Sequence, residues 1–200
     1  MSPVSAVAPA PPPAPLAGTD DPLAALATRA RRGDDAAFTE LVRATSDRLF
    51  QFLYRLSGHA QDAEDLAQET YLKAYRALDR YDPRRPFLPW LFTIARRSLL
   101  NHRRAARPCA PLPEELPARP SAGPDANSAD GDALEHLWRV ARGLHPRYHH
   151  VLWLYYGEGF DTRQVAAVLK TRPLVVKVLL HRARRALLAA LRRHRPDLLP

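Results

Sequence analysis

Residues 60–78 read AQDAEDLAQETYLKAYRAL, and their periodicity sets the fold class. Ala63, Leu66, Ala67, Thr70, Tyr71, Ala74 and Leu78 recur every three or four residues, which is the spacing of one helix face. The segments on either side repeat the pattern. Phe38, Leu41, Val42, Leu49, Phe52, Leu53 and Leu56 do so upstream, and Leu88, Leu91, Phe92, Ala95 and Leu99 downstream. No segment alternates with period two, so strands are not expected. The chain reads as all-α.

Local breakers divide the pattern into elements. A first helix begins near Asp21-Pro22 and stops at Arg31-Arg32-Gly33. Asp34 or Asp35 caps the second, and Ser57-Gly58 ends it. Residues 81–86 hold two prolines and form a loop before a fourth helix over about 88–104. Residues 105–133 carry six prolines and form a linker. Helix returns at 134–141 and again from Pro146 to about Tyr156. Gly157-Glu158-Gly159 breaks it, Asp161 or Thr162 caps a short helix over 163–169, and a turn at Lys170-Thr171-Arg172 leads into a long helix over 173–194. The expected plan is two small helical domains, a four-helix one over 21–104 and a helix-turn-helix one over 134–194, joined by the Pro-rich linker. The Pro/Ala-rich segment 1–20 and residues 195–200 are expected to be tails.

The 200 residues carry a formal net charge of +9. Residues 1–104 contribute +3, residues 105–133 contribute −3, and residues 134–200 contribute +9. A basic C-terminal domain behind an acidic connector fits a polyanionic partner, most often nucleic acid. No apolar run is long enough to cross a membrane, and no basic segment followed by an apolar stretch marks a secretory signal. The single Cys109 excludes an internal disulfide framework and a multi-Cys zinc site. These features describe a soluble, cytoplasmic protein with no membrane insertion.

Four groups of residues carry candidate chemistry. Short helix, tight turn and longer helix form a helix-turn-helix outline. On the last helix, Val176, Leu180, Ala183, Leu187 and Leu191 share the core face, Lys177 and Arg184 flank it, and His181, Arg182 and Arg185 project toward possible phosphates. Leu174, Val175 and Val178 also project outward, where base-edge hydrogen-bonding groups are usual. On the third helix Asp62, Glu64, Asp65, Gln68 and Glu69 include a strip continued by Leu72; a solvated helix face would look the same. Phe87 and Trp90 sit beside Arg84-Arg85, on a helix ending in Arg96-Arg97 and Arg103-Arg104. Aromatics among clustered arginines suit melted DNA, while a core anchor would account for Trp90 equally well.

Enzyme chemistry finds no support. The chain has no Gly-rich phosphate loop, no G-x-S-x-G and no H-E-x-x-H. Cys109 lies in the linker without a scaffold to hold a partner. His136, His145, His149, His150 and His194 lack a carboxylate or Cys at ligand spacing and read as surface or capping residues. No metal and no cofactor is expected.

The stretch DAEDLAQETY at 62–71 resembles the core-binding signature of bacterial sigma factors. WLFTIARR at 90–97, followed by NHRR at 101–104, is similar to the promoter-melting helix of that family. Gly159-Phe160, AAVL at 166–169 and HRARRAL at 181–187 resemble its C-terminal helix-turn-helix. The two-domain plan is that of the extracytoplasmic-function (ECF) group.

The resemblance implies roles. Asp62, Asp65, Leu66, Gln68, Glu69 and Leu72 would grip the β′ clamp helices of core RNA polymerase. The loop at 82–87 would capture a flipped base of the −10 element, with Arg84, Arg85, Phe87, Trp90, Arg96, Arg97, Arg103 and Arg104 on the melted strand. The linker would thread toward the RNA path. Arg172, Lys177, His181, Arg182, Arg184 and Arg185 would hold −35 DNA, and the same domain would touch the β flap. An anti-sigma factor is an expected partner. The chain departs from the family pattern at Arg97, where Asn is frequent, and at Asn101, where Asp is. It departs further at Leu174-Val175, in place of Gly-Thr, and at Val178-Leu179, in place of a small polar residue and Arg. Two functions follow. One is a sigma factor that reads −10 and −35 promoter elements to start transcription. The other is a sigma-like interaction protein whose patch at Leu174, Val175 and Val178 binds a regulator instead of promoter DNA.

Overall fold

The computed structural model describes residues 21–105 and 129–194. Expectations for residues 1–20, 106–128 and 195–200, including Cys109, lie outside that range. Among the described residues there is no strand.

Helix α1, Pro22–Arg31, starts at Asp21, whose side chain accepts a hydrogen bond from the Leu23 amide at 3.0 Å. The other oxygen of Asp21 accepts from the amide of Phe87 at 3.2 Å. One carboxylate therefore serves the N-termini of two helices, where backbone donors and the positive dipole end both favour an anion. Helix α2, Asp35–Ser57, is capped by Asp34 through the Ala37 amide at 3.0 Å and stops at Gly58, whose φ of 82° suits glycine. Helix α3, Ala60–Ala77, runs on into a 3-10 turn, Leu78–Arg80. Helix α4 is Phe87–Ala105.

The remaining helices are α5, Ala129–Arg142, α6, Pro146–Leu152, α7, Thr162–Leu169, and α8, Pro173–His194. Two differ from expectation. Helix α5 starts at Ala129 instead of Leu134. After α6 the chain does not continue as α-helix to Tyr156; Trp153–Gly157 forms a π-helical turn. The Glu158 amide there reaches back to the Trp153 carbonyl at 2.9 Å, and the Phe160 amide to that of Leu154 at 3.0 Å. The wider turn brings the Trp153 indole over the backbone of Gly157, where an added Cβ would lie 2.7 Å from the ring.

Helices α2, α3 and α4 pack on Leu41, Leu49, Phe52, Leu53, Leu66 and Leu91, each at most 2% exposed. Helices α6, α7 and α8 pack on Val151, Leu154, Val165, Val168, Val176 and Ala183, all fully buried. The two sets belong to one apolar cluster. Phe92 on α4 links them, with its ring centroid 4.5 Å from that of Phe52 and 5.6 Å from that of Phe160. The first pair is stacked and the second tilted, and aromatic pairs at such distances add stabilisation beyond area burial.

Candidate nucleic-acid interface

Helix α3 turns Ala63, Leu66, Thr70 and Ala74 inward. Its outer face carries Asp65, Gln68 and Leu72, with Leu72 61% exposed. Asp62 and Glu69 lie at the margins, half-buried. Glu69 is ion-paired to Lys73, which also donates to Ser98 at 3.1 Å, and Asp65 accepts from Gln61 at 3.4 Å. Leu66 does not belong to this surface. At 2% exposure it is a core residue, because it shares the inward face of the helix with Ala63, Thr70 and Ala74. Tyr75, which sequence reading missed, extends the exposed row. Its hydroxyl donates to Asp35 at 2.9 Å. The clue was its position three residues after Leu72.

The loop between α3 and α4 is pinned from beneath. Tyr81 is buried and its hydroxyl donates to the Arg85 carbonyl at 2.5 Å. Burial pushes its phenol well above its usual range. Asp82 accepts from the Arg84 amide at 3.1 Å and guanidinium at 3.0 Å, and pairs with Arg85 at 3.6 Å. The Arg84 hydrogen bonds hold the Asp82 carboxyl below its usual range. The guanidinium groups of Arg84 and Arg85 themselves stay exposed.

Phe87 is only 1% exposed. It packs edge-on against Tyr81, with centroids 5.5 Å apart, so it braces the loop and is not free to stack on a base. Trp90 is half-buried and leans on both rings, 5.2 Å from Tyr81 and 5.5 Å from Phe87. Along α4, Arg97, Arg103 and Arg104 are exposed. Arg96 is half-buried, Arg103 donates to the Leu56 carbonyl, and burial lowers the pKa of both.

A polar seam joins α2 to the C-terminal helices, and no sequence motif marked it. Arg48 binds the Glu158 carboxylate at 2.8 Å and also donates to its backbone carbonyl at 3.2 Å. Trp153 donates from its indole to the same carboxylate at 3.1 Å. The Arg55 guanidinium lies 3.7 Å over the Trp153 ring, a contact of cation–π type. Burial, then the charge of Arg142, lowers the Arg55 pKa to about 10. Burial raises that of Glu158, against the pull of Arg48. His149, expected at the surface, is 4% exposed on α6, because the helix turns that side toward the seam. Burial, then Arg55 and Arg142, depresses its pKa to about 4. For neighbouring His150 burial, then His149, Arg103 and Arg96, brings it to about 3. His145 does cap, accepting from the Arg147 amide at 3.2 Å.

The helix-turn-helix is built by its caps. Asp161 and Gln164 form a reciprocal capping box at the start of α7. Lys170 takes a left-handed conformation, φ 51°, and the Thr171 amide closes on the Ala166 carbonyl at 2.9 Å. Pro173 opens α8. Val176, Leu180 and Ala183 face the core, while Leu187 and Leu191 are half-buried. Arg172, Lys177, His181, Arg182 and Arg185 are exposed. Arg184 is not available in the same way. It donates to the Tyr156 hydroxyl at 2.7 Å and is half-buried, since its position on α8 turns it toward the π-helical turn. Leu174, Val175 and Val178 are 72%, 39% and 45% exposed, and Leu179 is half-buried against the core. Among the described residues no group of His, Cys, Asp or Glu is placed to hold a metal, and no helix is long and apolar enough to cross a membrane.

Comparison with known proteins gives this geometry a family. Sigma-70 region 2 matches residues 41–108, and Sigma-70 region 4 matches residues 134–187. The ECF RNA polymerase sigma factor SigW of Bacillus subtilis is 30% identical over 178 residues, spanning 81% of this chain and 92% of SigW. SigL of Mycobacterium tuberculosis, of the same description, is 34% identical over 162 residues, covering 78% of this chain and 91% of SigL. Among solved structures, CnrH in complex with the cytosolic domain of CnrY aligns with a TM-score of 0.61 at 27% identity, over 84% of this chain and 96% of CnrH. RpoE of Bartonella quintana, solved with the anti-sigma factor NepR, shares the fold at a TM-score of 0.60 and 21% identity, over 78% of this chain and 96% of RpoE. With both sigma regions present in order and curated relatives matched over most of their length, the chain belongs to the ECF family of RNA polymerase sigma factors, the promoter-recognising factors of transcription initiation.

Proposed function

We propose that the exposed row on α3 docks this sigma factor onto the β′ clamp helices of core RNA polymerase. Asp65, Gln68 and Leu72 form the contact, with Asp62 and Glu69 at its edges. The observation that carries this reading is the division of one helix between a buried Ala63–Leu66–Thr70–Ala74 side and an exposed acidic side ending in Leu72. An exposed leucine beside carboxylates suits a protein interface with basic groups around an apolar centre.

In this reading residues 21–104 form the unit that opens the −10 element. Arg84, Arg85, Arg97 and Arg104 hold the melted strand, and the exposed side of Trp90 stacks on it. Arg96, half-buried on the same helix, and Arg103, exposed one residue before Arg104, extend that surface. Residues 134–194 form the unit that reads the −35 element, with Arg172, Lys177, His181, Arg182 and Arg185 on phosphates, and this unit touches the β flap. The linker follows the RNA path. The factor acts in the cytoplasm, performs no catalysis of its own and is held by a protein regulator of the anti-sigma type. The CnrH–CnrY complex supports that last point, since a relative of the same fold is bound there by another protein's cytosolic domain.

The test is run-off transcription from fragmented genomic DNA with core polymerase, with and without this protein. Discrete transcripts that depend on the protein are expected. A second reading, in which the C-terminal unit binds only a regulator, draws on the apolar exposure of Leu174, Val175 and Val178. It gains if polymerase binding is intact and no transcript appears.

A further inference from the structure

We infer that the first turns of α8 recognise the upstream promoter element through the 5-methyl groups of thymine, with Leu174, Val175 and Val178 as the contacting side chains. This rests on the reading of residues 134–194 as the −35-binding unit. In a helix-turn-helix the N-terminal residues of the second helix meet base edges in the major groove. Here those residues are branched and apolar, and they are exposed at 72%, 39% and 45%. Leu174 and Val178 are four residues apart, and Val175 and Val178 three, so they share one outward face. None of these side chains has a donor or an acceptor, so none can form the bidentate bonds that read guanine or adenine. The one major-groove feature that an alkyl group matches is the thymine methyl.

The surroundings favour DNA over a protein as the occupant. Arg172, Lys177, His181 and Arg182 are exposed around the three apolar side chains. His181 and Arg185 continue the line of Leu174 and Val178 along α8. Residues 134–200 carry the equivalent of the chain's whole +9. Cations flanking an apolar centre reproduce the cross-section of a major groove, with phosphates on both sides and methyls on its floor.

The experiment uses holoenzyme made from core polymerase and the full chain. Duplexes with a randomised upstream element are selected for binding, and each thymine in the selected element is then replaced by deoxyuridine, which removes only the methyl. Affinity should fall about fourfold at each contacted thymine, the value of one buried methyl. In Val178→Ala holoenzyme the thymine and uracil duplexes should bind alike at the base that Val178 meets. Upstream selectivity that is indifferent to deoxyuridine at every position would overturn the inference and leave the −35 role standing. Loss of upstream selectivity altogether, with Leu174→Ala and Val178→Ala unchanged on DNA but defective in binding a protein regulator, would overturn both.

Discussion

Arg48 on α2 and Glu158 beyond the π-helical turn form a 2.8 Å ion pair whose two ends differ sharply in exposure. The Glu158 side chain is 3% exposed and that of Arg48 44%. The pair closes α2 onto the C-terminal helices, and it does so with one buried charge. A buried carboxylate is stable as an anion only with partners, and Glu158 has two, Arg48 and the Trp153 indole.

Removing the carboxylate should therefore cost more than an exposed ion pair would. Glu158→Ala leaves the Trp153 indole without its acceptor and removes the anion beside Arg55. The expected loss is about 2 kcal/mol in urea denaturation, with Glu158→Gln losing less because its amide oxygen still accepts. Equal midpoints for Glu158→Ala and the parent chain would show that the seam contributes nothing to stability.

Acid should weaken the same junction. The unfolded-state imidazole titrates near 6.5, whereas His149 in the fold titrates near 4 and His150 near 3. Between about pH 6.5 and 4 the unfolded chain binds more protons, so the stability held above pH 6.5 is lost as pH falls. By pH 5 the contribution of His149 alone is on the order of 2 kcal/mol. Glu158, whose folded pKa is raised, works in the opposite direction just above its ordinary value and blunts the lower end of the window. Urea midpoints at pH 7.5 and pH 5.0 should differ, and His149→Leu should reduce the difference. A pH-independent midpoint would contradict this account.

Gly157 is the tightest point of the π-helical turn. A methyl group there meets the Trp153 ring at 2.7 Å. Gly157→Ala should displace the indole from Arg55 and Glu158 and destabilise by about 1–3 kcal/mol, a cost of overpacking. Tryptophan emission should shift at the same time, since Trp153 also packs edge-on against Trp138 at 4.9 Å. An unchanged spectrum with unchanged stability would mean that the turn relaxes freely.

The helices were legible in the sequence because capping chemistry and apolar spacing are local. Asp34, Gly58, Asp161 and Pro173 each mark the boundary that the structure uses. What was not legible arises from contacts between distant segments. Asp21 could be read as the start of α1, but its bond to Phe87 depends on how α1 lies against α4. Phe87 looked available to DNA because it follows two arginines, yet Tyr81, six residues earlier, holds it in the core. His149 looked like a surface residue because the packing that buries it, and the Arg55 and Arg142 charges that disfavour its imidazolium, come from other helices. The outward patch on α8 was legible, since helical phase alone separates Leu174 and Val178 from Val176 and Leu180.

The two proposed binding surfaces can be separated by charge, because they carry opposite signs. Asp65→Lys reverses a charge on the exposed side of α3, away from the buried Leu66 and Thr70, so the fold should survive. Affinity for core polymerase should fall about tenfold, equivalent to roughly 1.4 kcal/mol. Arg182→Ala removes an exposed cation from α8. It should weaken promoter binding by holoenzyme and lower the slope of log affinity against log salt by about 1, the signature of one lost phosphate contact. Each variant should leave the other's readout unaltered, with polymerase affinity measured by fluorescence titration and promoter affinity across a salt series. If Arg182→Ala left the salt slope unchanged, phosphate binding would have to be assigned to other cations, and the orientation of α8 on DNA inferred above would fail with it.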